Sequence, residues 1–426
     1  MDINSLYSKK VLKNGLTLLT VPVETAASVT MSIFVKAGSR YEEKKFNGIS
    51  HFLEHLHFKG SKKYPSAKKL SEAIDAVGGE FNANTGKEHT QYYIRAAYEH
   101  FPLVFDVLTD MIQNPRFDEK EMNREKSVII EEINMYKDNP QINVDALFEE
   151  LLWPTCALGR DIAGTPEVIK AVTRKDILNY RDSWYQPGNM IIALAGNFKN
   201  EDIESMVDRH WSKLTNKKFG KYTPTVQKQT KPRFIVQEKV TEQAHMIVGF
   251  GAYGYRSKYN YPLRLMSAVL GGGMSSRLFL RIRERMGLAY YVGSSYNNYL
   301  DAGNFTIQAG LKVSAGPQAL EVILDELRKM RDKGVSEFEL KKAKDYIKGK
   351  IALAIEDPHD KMEWYLGQEA FLGRIRTLKQ MFEELDLVTR EDVLKISRDI
   401  IDNDNLNLAI IGPYKDPSIF EKKLKL

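Results

Sequence analysis

Apolar residues along this chain follow two periods, and the switch from one to the other marks its elements. "SVTMSIFVKAG", from Ser28, alternates Val29, Met31, Ile33 and Val35 with mainly polar neighbours, the period of a strand with one buried face. Ahead of it, "KKVLKNGLTLLTVPV" sets Asn14-Gly15 between two apolar runs, a hairpin signal. Helical periods are predicted over about 65 to 77, 100 to 113 and 118 to 137. Hairpins and helices grouped in this way predict an α+β fold, with helices packed on one face of a largely antiparallel sheet.

One short segment, "GISHFLEHLHFKG" at residues 48 to 60, combines this patterning with chemistry. Wound at about 100° per residue, it places Ile49, Phe52, Leu53 and Leu56 on one stripe. His51, Glu54 and His55 fall together on the opposite side. Two imidazoles four residues apart and turned to one point have the geometry of a metal site. His57 projects away from that face and reads as a surface or packing histidine. A further ligand is expected from the helix "DEKEMNREKSVIIEEINMYK". There Glu132 lies within about 20° of Glu125 around the axis, flanked by Val128 and Ile129, while Glu131 points nearer to Arg124. Two carboxylates on an apolar stripe are costly to bury unless a cation compensates them, which selects Glu132 as ligand and Glu125 as a second carboxylate behind it.

The plan occurs twice. "NMIIALAGNF" from Asn189 and "NLNLAIIGPY" from Asn405 are offset by 216 residues, "YIRAA" from Tyr93 and "TIQAG" from Thr306 by 213, and "FDEKEM" from Phe117 and "VSEFEL" from Val335 by 218. Nearly constant offsets imply duplication of one supersecondary unit. Between the copies, Lys213 to Arg233 has no acidic residue and carries two prolines and a glycine, which places a first domain at 1–213, a linker at 214–233 and a homologous second domain at 234–426. In the second copy His51, Glu54 and His55 fall opposite Arg264, Ser267 and Ala268, and Glu132 opposite Lys350. One copy holds every metal-capable side chain and the other none, so the first is the chemical half.

Composition narrows the class. With 426 residues, 43% hydrophobic and 28% charged, the chain reads as globular and long enough for two domains. A net charge of +6 is small for this length and gives no case for nucleic acid. A single cysteine, Cys156, fits a reducing compartment and has no supporting nucleophile signature. The start has no signal-peptide core, and no stretch approaches the ~18 apolar residues of a membrane span. The location expected is cytoplasmic.

"HFLEH" is the inverted H-x-x-E-H signature of inverzincins, and the chain resembles the M16 (pitrilysin-type) zinc metallopeptidases, in particular the branch of mitochondrial processing peptidase and its bacterial relatives. The resemblance runs nearly end to end, through "GISHFLEHLHFKG", "GGEFNANTGKEHTQYY", "REKSVIIEEINMY", "LGRDIAGTPEVI", "YQPGNMIIALAGNF" and "LGGGMSSRLFLRIRERMGLAYYV". It implies the LuxS/metallohydrolase-like M16 fold, with two homologous domains of largely antiparallel sheet covered by helices. It also implies one zinc ion per chain on His51, His55 and Glu132, with Glu131 as rival to Glu132, Glu54 as general base and Glu125 as the second acidic residue of the catalytic set. Arg283 and Tyr290 match an arginine and tyrosine seven apart that hold the substrate and its oxyanion, although sequence alone favours strand core for Tyr290 and Tyr291. Asn82 and Ala83 match the edge strand that pairs with an extended substrate. The function implied is a zinc endopeptidase acting on peptides or unfolded segments within a closed chamber, as a homodimer. The alternative is a non-catalytic core subunit of the same fold that binds presequence-like peptides.

Overall fold

A computed structural model describes residues 7–226 and 228–426. The chain opens with β1 (Ser8–Val11), β2 (Thr17–Pro22), β3 (Ser28–Val35), α1 (Ile49–His57), α2 (Ala67–Asp75), β4 (Glu80–Thr85) and β5 (Thr90–Ala97). It continues through α3 (Phe101–Gln113), α4 (Glu119–Asp138), α5 (Pro140–Leu152), α6 (Pro166–Ala171), α7 (Arg174–Trp184), β6 (Met190–Gly196) and α8 (Asn200–Trp211). After a connection whose described residues form no strand or helix come β7 (Arg233–Glu238), β8 (Gln243–Ala252), α9 (Asn260–Gly271), β9 (Ala289–Asn298), β10 (Gly303–Lys312), α10 (Gly316–Lys333) and α11 (Glu337–Ala354). Last are α12 (Pro358–Gly367), α13 (Leu378–Asp386), α14 (Arg390–Ile400), β11 (Asn407–Gly412) and α15 (Ser418–Glu421).

Two compact units share these elements, and neither is one continuous stretch. The first takes residues up to Asn134, Arg160–Thr223 and Leu353–Thr377; the second takes Met135–Gly159, Pro224–Ala352 and Leu378–Leu426. Each therefore contains a helix encoded in the other half of the sequence, α12 in the first unit and α5 in the second. The contiguous division at 1–213, 214–233 and 234–426 differs from this because these helices bury their apolar faces on a sheet distant in sequence.

The first unit has a six-stranded sheet in the order β1-β2-β6-β3-β5-β4, and the second a five-stranded sheet in the order β7-β11-β8-β10-β9. Both are antiparallel except for one parallel pair, β2 with β6 and β7 with β11. The α+β expectation and the duplication are both met: without β1, the two orders correspond strand for strand. The Asn14-Gly15 hairpin joins β1 to β2, with Gly15 at φ 87°.

Helices on a single face were expected, and this needs correction. On β3 not only Val29, Met31 and Ile33 but also the intervening Thr30 and Ser32 are buried. One face of the sheet carries the main core with α3, α8 and Trp184. On the other, Met362, Tyr365 and Leu366 of α12 cover Leu19, Val21, Phe34, Ile191, Ala193 and Ala195. In the second unit Val144, Phe148 and Leu152 of α5 cover Ile247, Ala409 and Ile411 in the same way. A short polar residue meets the need for a partner in such a place. The Gln91 amide donates both to Ser32 Oγ at 2.8 Å and to Glu363 of α12 at 2.5 Å.

Candidate metal centre

The helix that carries the histidines is fixed at its start before it presents any chemistry. Gly48 precedes α1 at φ 99°, where an added Cβ would lie 2.4 Å from the Ala163 carbonyl oxygen. Only glycine fits there. The buried Glu42 carboxylate accepts the first free N–H groups, from Gly48 and Ser50 at 2.8 Å each, and the Asn47 amide at 3.0 Å. A carboxylate at this end also complements the helix dipole. Burial pushes Glu42 above the usual carboxylate range, and these hydrogen bonds oppose the shift. The "GRDIAG" loop closes over the cap: Arg160 donates to the Glu42 carbonyl oxygen, and the Asp161 carbonyl accepts from Asn47.

With Ile49, Phe52, Leu53 and Leu56 buried, His51 and His55 turn their Nε2 atoms toward each other at 3.2 Å. Glu132 Oε2, from α4, lies 3.4 Å from His55 Nε2 and 3.7 Å from His51 Nε2. Ligands about 2.0–2.1 Å from a tetrahedral zinc ion stand roughly 3.3–3.4 Å apart, so these three atoms fit corners of one such tetrahedron. Burial pulls the His55 imidazolium down, but Glu125 and Glu132 outweigh it and raise its pKa to about 9. Burial and the neighbouring His55 hold His51 down to about 4. Among the described residues, His51, His55 and Glu132 are the three His, Cys, Asp or Glu side chains grouped to hold a metal ion.

Glu125 stands behind this trio. On the stripe of α4 formed by Met122, Ile129 and Ile133, it is buried. Its Oε1 meets His55 Nδ1 at 2.9 Å and its Oε2 meets Lys59 Nζ at 2.7 Å. Its place is therefore against one of the candidate ligands, with His55 held between Glu125 and the other two members of the trio. Glu131 is exposed.

Glu54 is 9% exposed, one position before His55, and its Oε2 accepts the Thr85 hydroxyl. Burial raises its pKa, with the Thr85 bond opposing. Thr85 ends β4, the open edge of the first sheet, where Asn82 and Ala83 lie. The Ala83 N–H is bonded by the Asn82 side chain at 2.9 Å, a bond that an added strand would replace.

Arg283 and Tyr290 lie in the second unit. Arg283 belongs to a π-helical turn, Phe279–Arg285, and stacks over the Phe279 ring at 4.7 Å and the Tyr290 ring at 5.9 Å. Tyr290 is the extra residue of a bulge on edge strand β9, where Gly310 faces Tyr291 and Leu311 faces Ala289. At 74% exposure it is not strand core; a bulge re-aims the side chain it carries. His57 is fully buried, its Nδ1 near the Leu53 carbonyl and the Tyr92 hydroxyl and its ring stacked on Tyr185, so it is a packing residue. Sequence reasoning missed Glu42, Lys59 and Thr85, because only the fold brings their partners to them. No helix among the described residues is long and apolar enough to cross a membrane.

Comparison with known proteins matches residues 18–165 to the family model described as insulinase (peptidase family M16), and residues 171–347 to the one described as the peptidase M16 inactive domain. A Bacillus subtilis protein named as the uncharacterized zinc protease YmxG is 35% identical over 94% of this chain and 97% of its own. A Streptomyces coelicolor protein, also named as an uncharacterized zinc protease, is 34% identical over 95% of this chain and 89% of its own. In fold, the chain is similar to a protease from Helicobacter pylori, with TM-score 0.88 and 22% identity over 96% of this chain and 100% of that one.

Proposed function

Because the chain belongs to the M16 peptidase family, we propose that it is a zinc-dependent endopeptidase that hydrolyses flexible peptides and unfolded segments. The observation that carries this reading is the trio His51, His55 and Glu132, with donor atoms 3.2 to 3.7 Å apart and Glu54 one position from a ligand. His51, His55 and Glu132 would hold one zinc ion per chain, which would supply Lewis-acid chemistry to a substrate carbonyl and to water. Glu54 takes the proton of the attacking water and returns it to the leaving amine. Thr85 keeps the Glu54 carboxylate turned toward β4. The edge of β4 at Asn82 and Ala83 pairs with substrate backbone, which restricts substrates to chains that can become extended, such as flexible peptides and unfolded segments. Arg283 and Tyr290 of a partner protomer contribute donors for the developing oxyanion.

Metal analysis tests the centre. One zinc per chain is expected in the purified protein and loss of that zinc in His55→Ala; full retention in the variant would overturn the ligand assignment. Peptide hydrolysis is expected to stop with chelator and return with zinc.

We extend the proposal to a cytoplasmic homodimer, the commonest oligomer, in which the Arg283 and Tyr290 of one protomer serve the zinc half of its partner. Mixing Glu54→Gln with an Arg283→Ala, Tyr290→Phe double variant after subunit exchange then restores one good site in each mixed dimer, roughly a quarter of wild-type activity. Activity no higher than the average of the two variants would reject the shared site.

A further inference from the structure

Lys59 has no role in the chemistry above, yet it ends a chain of contacts that begins at a ligand. Its Nζ is 2.7 Å from Glu125 Oε2, and Glu125 Oε1 is 2.9 Å from His55 Nδ1. Leaving α1, the chain turns so that the Lys59 N–H bonds the Leu56 carbonyl at 3.1 Å. That turn aims the lysine back at α4. We propose that Lys59 is a positioning residue for the metal centre: it clamps the second oxygen of Glu125, so that the first faces His55 Nδ1 and the His55 Nε2 lone pair stays aimed at His51 and Glu132. The inference rests on the zinc reading of that trio.

Two arguments favour this role over an ordinary ion pair between helices. Glu125 is 4% exposed, and a buried carboxylate rotates toward whatever donors it has; with Lys59 on one oxygen and His55 on the other, both ends are fixed. The second copy of the fold supplies a built-in control. Opposite Lys59, Glu125 and His55 stand Gly272, Ala343 and Ala268, while the apolar stripe beside Ala343, formed by Leu340, Ile347 and Ile351, stays buried as in α4. Where the ligands are absent the whole relay is absent, and the helix packs without it. Packing alone therefore does not call for the lysine.

The test compares full-length Lys59→Met, which keeps the length of the side chain and removes its charge, with Lys59→Arg. Zinc dissociation constants are measured by competition with a colorimetric chelator, and the melting temperature of each metal-free protein is measured alongside. Lys59→Met is expected to bind zinc at least ~10-fold more weakly, the scale of lost outer-sphere support, and to melt somewhat lower without metal because Glu125 loses its paired cation. Lys59→Arg is expected to recover most of the affinity. In a Glu125→Gln background Lys59→Met is expected to add no further loss, because the two residues act in series. Unchanged affinity in Lys59→Met, an arginine variant no better than methionine, or a full further loss of affinity from Lys59→Met in the Glu125→Gln background would each overturn the assignment. Absence of stoichiometric zinc from the wild-type protein would instead overturn the reading of the trio itself.

Discussion

Helices α1 and α9 bury the same positions 213 residues apart: Ile49, Ser50, Phe52, Leu53, Glu54, Leu56 and His57 in one, Pro262, Leu263, Leu265, Met266, Ser267, Val269 and Leu270 in the other. Helices α4 and α11 do the same 218 residues apart, Met122, Glu125, Ile129 and Ile133 against Leu340, Ala343, Ile347 and Ile351. The packing surfaces have been kept address for address. What differs is the polar residue at a few of those addresses, with Glu54, His57 and Glu125 against Ser267, Leu270 and Ala343. A burial pattern thus specifies where a helix sits, and a handful of substitutions within it decides which polar groups stand at the candidate site.

Substitutions at matched addresses test how far this division goes. Glu54→Gln is expected to retain zinc and lower peptide hydrolysis by about 10²–10⁴-fold, the range of lost general acid–base catalysis, while Ser267→Ala leaves hydrolysis near wild type. Near-normal turnover in Glu54→Gln would assign the base elsewhere. Next in size, Ile129→Ala and Ile347→Ala are each expected to destabilise the protein by about 2–4 kcal/mol in denaturant titrations, and only the first is expected also to weaken zinc binding. Equal effects of both on zinc would show that the copies do not separate packing from chemistry.

The smallest effect concerns the exchanged helices, each of which turns one acid toward its sheet. Burial pushes Glu363 up to about 7, opposed by its bond to Gln91. On α5, burial with Glu149 nearby pushes Asp145 up to about 6. A carboxylic acid whose pKa is higher folded than unfolded stabilises fully below its unfolded value, and that contribution is lost as pH rises through the folded value. Between about pH 4.5 and 7, Glu363 is therefore expected to account for a decline in stability on the order of 2 kcal/mol. Stability curves of Glu363→Gln should lack that decline. A variant with the wild-type slope would show that the buried acid is not its source.

The centre was legible because helical period alone puts His51, Glu54 and His55 on one face and Glu132 in line with Glu125. Repeat offsets likewise revealed the duplication before any strand order was known. The helix exchange was not legible, since an amphipathic segment does not state which sheet it will cover. A trace of it was present: Asn139-Pro140 and Asp357-Pro358 start α5 and α12 with the same capped proline turn. Tyr290 was misjudged as strand core because an apolar neighbourhood reads as buried, whereas one bulged residue on an edge strand reverses the side it faces. Thr85, Glu42 and Lys59 carried no local signal, being ordinary surface residue types whose partners lie on other elements.

The exchange of α5 and α12 also bears on how the chain matures as it leaves a ribosome. The last strand of the first sheet, β6, ends at Gly196, but the helix that covers its second face begins only at Pro358, about 160 residues later. At ~5–20 residues per second, translation leaves Leu19, Val21, Phe34, Ile191, Ala193 and Ala195 without that cover for roughly ten to thirty seconds. During that interval a nascent first half exposes a flat apolar face, the kind of surface that chaperones bind. A proteolytic nick in the linker of the finished protein would not release two independent domains, because each piece would carry away a helix belonging to the other.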